Sequence, residues 1–197
     1  MDNYRLVDYL SANANIERDV ILEVVSDQKT ISVSKGEYLL MPGEVCRSSF
    51  FVEEGLLRYY SIDAKGKEHI LQFAPENWFM ADRESAYFGK PSQYFIQALE
   101  DSTIVTLNEN FILRLSAKHP AFIEFNNRLL HNHIRHLQNR VNQLLSYTAE
   151  ERYLKFIELY PNVLLRVPQT MVASYLGITP ESLSRVRKEL SKKHFGK

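Results

Sequence analysis

Residues 121–148 contain neither glycine nor proline, and their apolar residues recur at a heptad spacing. This spacing indicates one uninterrupted helix with a narrow apolar seam. Such a helix is long for a small domain, so we predict that it joins two copies of the chain. The alternative is an amphipathic helix packed on its own domain. The predicted dimer interface comprises Leu130, Ile134, Leu137, Val141 and Leu144, and the heptad spacing continues to Thr148.

The segment before this helix has a different residue pattern. From Thr30 to about Leu107, short runs rich in β-branched and aromatic residues alternate with turn signals such as Pro42-Gly43. Strands at this spacing predict an antiparallel sandwich or barrel. A helix over residues 4–27 is expected to precede it. The helix positions that we expect to be buried are Leu6, Leu10, Ile16, Val20 and Val24.

The C-terminal segment predicts several short helices. One helix spans Glu150 to Tyr160, a second opens at Pro168 and ends at Gly177, and a third opens at Thr179-Pro180. Threonine is a good N-cap, and proline suits the first helical position. The sequence therefore predicts an α+β chain in three parts. These are a β domain at 1–118, a long helix at 119–148 and a helical domain at 149–197.

The last helix has two chemically different faces. Leu183, Val186 and Leu190 share one face and are expected to pack against the preceding helix. Arginine can bind guanine in a bidentate manner, glutamate can accept from cytosine, and serine suits either kind of base edge. We therefore predict a helix-turn-helix whose second helix enters the DNA major groove. The predicted DNA-binding residues are Thr170, Thr179, Pro180, Glu181, Ser184, Arg185 and Lys188, with Lys188 and Thr170 directed to phosphates.

The charge distribution favours the same partner. The whole chain has 24 basic and 24 acidic residues, yet the segment from Arg166 onward has seven Lys or Arg against two acids. A basic tail on an acidic body indicates a polyanion that binds the tail.

The segment VPQTMVASYLGITPESLSRVRKEL resembles the helix-turn-helix of the Crp/Fnr family of bacterial transcription regulators, most of all the subgroup common in Bacteroidetes. The Glu-x-x-Ser-Arg pattern of Glu181, Ser184 and Arg185 is similar to the motif with which the Fnr-like branch reads its half-site. The segment SKGEYLLMPGEVCRSSFFVEEGLLRYYSIDAKGKEHILQF resembles the start of that family's cyclic-nucleotide-binding-like β-roll.

This resemblance implies an architecture and a set of partners. The fold would be an N-terminal, jelly-roll-like antiparallel double-stranded β-roll, a long dimerisation helix and a C-terminal helix-turn-helix. The partners would be a second copy of the chain, a palindromic double-stranded operator and, for an activator, RNA polymerase. Only PNVLLRV separates the helix ending at Tyr160 from Pro168. We therefore expect a trimmed winged-helix domain.

The effector site departs from the family pattern. Cyclic-AMP binders in the family have a Gly-Glu pair and then an Arg-Ser pair, and here Ser92-Gln93 stands where Arg-Ser is expected. A buried cyclic phosphate without a cation is poorly compensated. We therefore expect an unknown small effector rather than cyclic AMP. The ligand-pocket candidates are Asp82, Arg83, Glu84, Ser92 and Gln93.

The sequence gives little support for an iron–sulfur cluster or a metal site. Cys46 is the only cysteine, which excludes a four-thiolate iron–sulfur cluster within one chain. Arg47 beside it would lower the thiol pKa, so Cys46 is a candidate oxidation-sensitive residue. The histidines at 131, 133 and 136 lack a carboxylate within one turn, and we expect no metal. A pH-sensitive contact across a dimer is an alternative role for them.

Two other functional classes remain as alternatives. One is a ligand-binding β-roll whose tail binds a protein and no DNA. The other is a cupin-like enzyme, but nucleophile-elbow and phosphate-loop motifs are absent, so we expect no enzyme. The sequence has no signal-peptide pattern and no long apolar run, so a cytoplasmic location without membrane contact is expected.

Overall fold

The computed structural model describes residues 4–195, and within them the side chains of residues 5–193. The described residues form two compact units. One comprises residues 4–61 and 72–132, and the other comprises residues 62–71 and 133–195. The domain boundaries expected from the sequence remain predictions. No helix among the described residues is both long and apolar enough to cross a membrane.

Eight strands form two four-stranded sheets. Their orders are β1-β8-β3-β6 and β2-β7-β4-β5. The pairs β1–β8, β8–β3, β3–β6, β2–β7 and β7–β4 are antiparallel. The predicted β-roll is confirmed. The strands are β1 (Lys29–Val33), β2 (Tyr38–Leu40), β3 (Ser48–Glu54), β4 (Leu57–Ile62), β5 (Glu68–Ala74), β6 (Phe79–Met80), β7 (Phe95–Ala98) and β8 (Ser102–Asn108).

Eight α-helices complete the described chain. They are α1 (Tyr4–Ala14), α2 (Arg18–Val25), α3 (Arg83–Phe88), α4 (Glu109–Lys118), α5 (Pro120–Ser146), α6 (Ala149–Leu159), α7 (Gln169–Leu176) and α8 (Pro180–Phe195).

Successive side chains of a strand point to opposite faces, and both faces of β3 are covered by other parts of the fold. Phe51 packs with buried residues of α1, α2, α4 and α5, whereas Phe50 and Val52 join the core between the two sheets. Glu53, at the end of the same strand, accepts hydrogen bonds from the backbone N–H groups of Arg5 (3.2 Å) and Leu6 (2.9 Å). The carboxylate thus satisfies free donors in the first turn of α1.

The N-terminal helix is broken, which corrects the expectation of one helix over residues 4–27. Asn15 has a φ of 53°, and α2 starts three residues later at Arg18. A left-handed residue cannot continue a right-handed helix, and Asn tolerates this conformation better than most residues. Four of the five positions expected to be buried are buried, and Val20 is half-buried.

The long helix is present, but it is shorter at its C-terminal end than the sequence pattern indicates. It ends at Ser146, and Thr148 is the N-cap of α6. Thr148 and Glu151 form a reciprocal capping box, in which each side chain accepts from the other residue's backbone N–H. Thr148 is therefore not a continuation of the seam. A single 3₁₀ turn, Val163–Leu165, lies between α6 and α7, and no strand occurs in this stretch of the described chain.

We expect Gly55→Ala to destabilise the β-roll by about 3 kcal/mol or more. Gly55 has a φ of 102°, and an added Cβ would lie 2.2 Å from Ser102 Oγ and 2.8 Å from Ser102 Cα. Gly66→Ala is the matched control because its φ is also positive, at 79°, yet nothing lies within 4 Å of the new Cβ. The control should lose only about 1–2 kcal/mol. Urea unfolding followed by Trp78 fluorescence measures both, and equal losses would contradict this account.

Candidate nucleic-acid interface

One face of α8 is anchored by burial. Leu183 is fully buried and Val186 nearly so, and Val172 and Leu176 of α7 are fully buried as well. Helix α8 contacts both α6 and α7. Burial of these apolar side chains fixes which side of α8 faces outward.

The turn before α8 is tight. Gly177 adopts the left-handed conformation, with φ of 67°, and the backbone N–H of Ile178 donates to the Ala173 carbonyl at 3.0 Å. This is the usual way for a helix to end at glycine. Thr179 Oγ1 then accepts from the backbone N–H of Ser182 at 3.2 Å, as an N-cap does.

All seven residues predicted to bind DNA are exposed. Glu181, Ser184, Arg185 and Lys188 follow one stripe of α8, opposite Leu183 and Val186. The other three lie at the starts of helices. Thr170 is in the first turn of α7, Thr179 caps α8 and Pro180 is its first residue.

Arg185 is loosely held on this surface. Its Nε lies 3.4 Å from the Glu181 carbonyl oxygen, and an Nη2 atom lies 3.5 Å from Ser182 Oγ. Contacts this long are weak hydrogen bonds, so the guanidinium can turn outward at little cost. The pKa of Glu181 is lowered because its carboxylate accepts from its own backbone N–H and from Thr179, with a smaller effect from Arg185.

Helix α5 leaves a stripe of large apolar side chains uncovered in the described chain. Exposed fractions are 50% for Ile134, 49% for Leu137, 55% for Val141 and 44% for Leu144. Leu130 is half-buried. Four of the five residues of the predicted dimer interface therefore form an exposed seam, which we call the α5 stripe.

The ligand-pocket candidates do not share one environment. Asp82 and Ser92 are buried, and Ser92 Oγ donates to Asp82 Oδ2 at 2.7 Å. Asp82 also caps α3 by accepting from the backbone N–H of Ser85 at 3.2 Å. Arg83, Glu84 and Gln93 are exposed.

The expected lowering of the Cys46 pKa is wrong. Cys46 is 2% exposed, and burial raises the pKa of its thiol. Its Sγ donates to the Ser48 carbonyl at 3.3 Å. A buried thiol with a raised pKa reacts poorly with oxidants. No group of three His, Cys, Asp or Glu residues in the described chain is arranged to hold a metal.

Ser174 of α7 is an interacting residue that sequence reasoning missed. Its hydroxyl donates to the Glu68 carbonyl at 2.8 Å and accepts from the Ile70 backbone N–H at 3.0 Å. Residues 62–71 belong to the same compact unit as α7. A lone serine in a helical pattern gives no signal of a partner about a hundred residues away.

Comparison with known proteins identifies the class of domain. Residues 30–119 match the cyclic nucleotide-binding domain family. Electron transport regulator A of Shewanella oneidensis is 29% identical over 188 residues, which cover 88% of this chain and 72% of that protein. The fumarate and nitrate reduction regulatory protein of Vibrio cholerae is 29% identical over 184 residues, covering 86% and 71% respectively. FixK2 from Bradyrhizobium japonicum shares the fold, with a TM-score of 0.73 at 18% identity over 85% of this chain and 86% of that chain.

The chain has the fold of these proteins, and its curated relatives are Fnr-type regulators. Along most of its length the chain is thus similar to transcription regulators of the Crp/Fnr type. The family resemblance seen in the sequence is confirmed, and the narrower Bacteroidetes subgroup remains a prediction.

We expect Ser174→Ala to leave the backbone N–H group of Ile70 without its hydrogen-bond acceptor. The variant loses the acceptor of that N–H group, which costs about 1–3 kcal/mol locally. Hydrogen exchange at the Ile70 amide should therefore accelerate. Ser191→Ala, an exposed change in α8, is the matched control. Unchanged Ile70 exchange in Ser174→Ala would show that this hydrogen bond contributes nothing in solution.

Proposed function

We infer that the chain is a homodimeric, sequence-specific DNA-binding regulator that reads a palindromic operator with α8. The observation that carries the inference is the division of α8 into a buried apolar stripe and an exposed stripe of Glu181, Ser184, Arg185 and Lys188. Residues of these types can hydrogen-bond base edges and phosphates when a helix lies in the major groove. The net positive charge of the segment from Arg166 onward supports a polyanionic partner.

The α5 stripe supports self-association. Several half-exposed large apolar side chains on one helix face form a patch that water solvates poorly. A second copy would cover it in the manner of a coiled coil. Two-fold symmetry would then place two reading helices on half-sites about one DNA turn apart. If the regulator activates transcription, RNA polymerase would be a further partner.

The environment of Asp82 supports an effector other than cyclic AMP. Asp82 is 3% exposed and is tied to Ser92 and to the start of α3. A carboxylate at this position would repel a cyclic phosphate, and the nearby Arg83 is exposed. Any effector that controls DNA binding must bind the two states of the regulator unequally.

Selection of bound sequences from a random double-stranded DNA pool tests the proposal directly. Wild-type protein without added ligand should enrich an approximate palindrome. An unenriched pool, together with no DNA affinity at low salt, would favour the tail as a protein-binding segment instead.

We expect Arg185→Ala to weaken operator binding by about 1–3 kcal/mol and to relax preference at one base pair. The reason is loss of a bidentate contact to a base edge. Lys188→Ala is the comparison variant because it removes one positive charge from the same face. It should weaken binding to all DNA sequences alike and lower by about one unit the slope of log affinity against log salt concentration. Fluorescence anisotropy over a range of salt concentrations measures both. Unchanged affinity of Arg185→Ala would refute our assignment of the reading face.

We expect Leu137→Glu to convert the dimer into a monomer of 23.0 kDa. Leu137 is 49% exposed within one chain, so the variant should fold, but a paired seam would bury the new charge. Leu154→Glu on α6 is the matched control, since Leu154 is 45% exposed and lies outside the stripe. Light scattering distinguishes the two. A Leu137→Glu protein that stays dimeric would place the dimer interface elsewhere.

A further inference from the structure

A cavity of about 430 Å³ lies within the helical unit, between the C-terminal half of α5 and helices α6 and α7. This is the size of a small-molecule site. Aromatic and aliphatic side chains form part of its wall, including Phe156, Leu159 and Tyr175, and its polar lining includes His136, Arg140 and Gln143. None of the residues that line it belongs to the exposed stripe of α8 or to the ligand-pocket candidates.

Arg140 is the unusual residue of this cavity. Its guanidinium lies over the Tyr175 ring, with Cζ 4.0 Å from the ring centroid. Its Nη1 atom is buried and has no hydrogen-bond partner among the described residues. A buried cationic donor without an acceptor is costly, and the face of one aromatic ring compensates only part of that cost.

The carboxylates of the neighbouring helix are already engaged. Glu150 accepts from Lys193 Nζ at 2.7 Å, and Glu151 closes the capping box of α6. Glu158, which lines the cavity, is paired with Lys155 at 2.7 Å. Helix α5 holds one acidic residue, Glu124, about 24 Å from Arg140 along the helix axis. Among the described residues, no carboxylate of α5 or α6 is paired with Arg140.

The α5 stripe, on which a second copy is proposed to dock, contains no acidic residue. With 3.6 residues per turn, His136, Arg140 and Gln143 are centred about 110° around α5 from the middle of the stripe. A partner centred on the stripe would therefore contact a different side of α5 from the one that lines the cavity.

We propose that this cavity binds a small organic anion, whose carboxylate or phosphate group hydrogen-bonds Arg140 and whose apolar body packs against Tyr175 and Phe156. Guanidinium groups bind both kinds of anion in a bidentate manner. The site lies beyond the proposed DNA-reading function, because its ligand contacts none of the residues assigned to DNA.

The test is calorimetric titration of the full chain, without DNA, with phenyl phosphate, benzoate and neutral benzyl alcohol. At least one anion should bind with a Kd of about 1 mM or below, and benzyl alcohol should bind much more weakly. The preferred anion distinguishes a phosphate ligand from a carboxylate ligand. Absence of binding by both anions at this concentration would overturn the proposal.

Arg140→Gln should weaken binding of the preferred anion about tenfold or more. Arg135→Gln is the matched control, because it removes the same charge from an exposed position of the same helix, and it should bind as wild type does. Equal binding by Arg140→Gln and wild type would refute the site. Should Arg140→Gln fail to fold, NMR titration of the wild type decides. Shifts at the Arg140 and Tyr175 signals support the site, and shifts confined to other residues overturn it.

Discussion

The N-terminal unit depends on the burial of both faces of β3. On one face, Phe51 packs against helices of the same unit. On the other face, Phe50 and Val52 pack against the second sheet. Full burial of a large apolar side chain contributes about 1.5–3 kcal/mol, so a few residues of one strand stabilise two separate packing layers. Glu53 extends this role because its carboxylate caps α1. Gly55 follows this strand directly, and Ser102 lies too close to it for any side chain at that position.

In the helical unit, the corresponding element is buried on one face only. Helix α8 is buried along one stripe only, and its charged and hydroxyl-bearing side chains remain exposed. Gly177 allows the chain to reverse, and Thr179 caps the helix that follows. The turn depends on the left-handed backbone of Gly177, and the cap depends on the Thr179 hydroxyl, so neither needs the side chain of Ser184 or Arg185. Those two side chains and Glu181 remain exposed.

Local signals in the sequence predicted much of this structure. Turn residues indicated an antiparallel sandwich or barrel, and the family resemblance implied the β-roll. Apolar spacing indicated α5, and the Thr179-Pro180 pair gave the start of α8. The break at Asn15 was missed because apolar spacing continues across it, and the end of α5 was missed because Thr148 fits both a heptad and an N-cap. Long-range contacts leave no local pattern. The hydrogen bonds of Ser174 with residues 68 and 70, and the stacking of Arg140 on Tyr175, depend on tertiary packing alone.

Two sides of helix α5 differ in chemistry. The α5 stripe is apolar and suits a second copy, whereas the side with Arg140 faces α6 and α7 and is polar and basic. A ligand on the second side would contact the helix that we propose as the dimer interface and the two helices that contact α8. It would alter DNA affinity only to the extent that it binds one arrangement of these helices more tightly than another. A hundredfold preference, worth about 2.7 kcal/mol, would be a typical allosteric coupling. The half-buried guanidinium of Arg140 is of the right kind to supply such a preference. A charge-assisted hydrogen bond that forms in only one arrangement contributes an energy of that order.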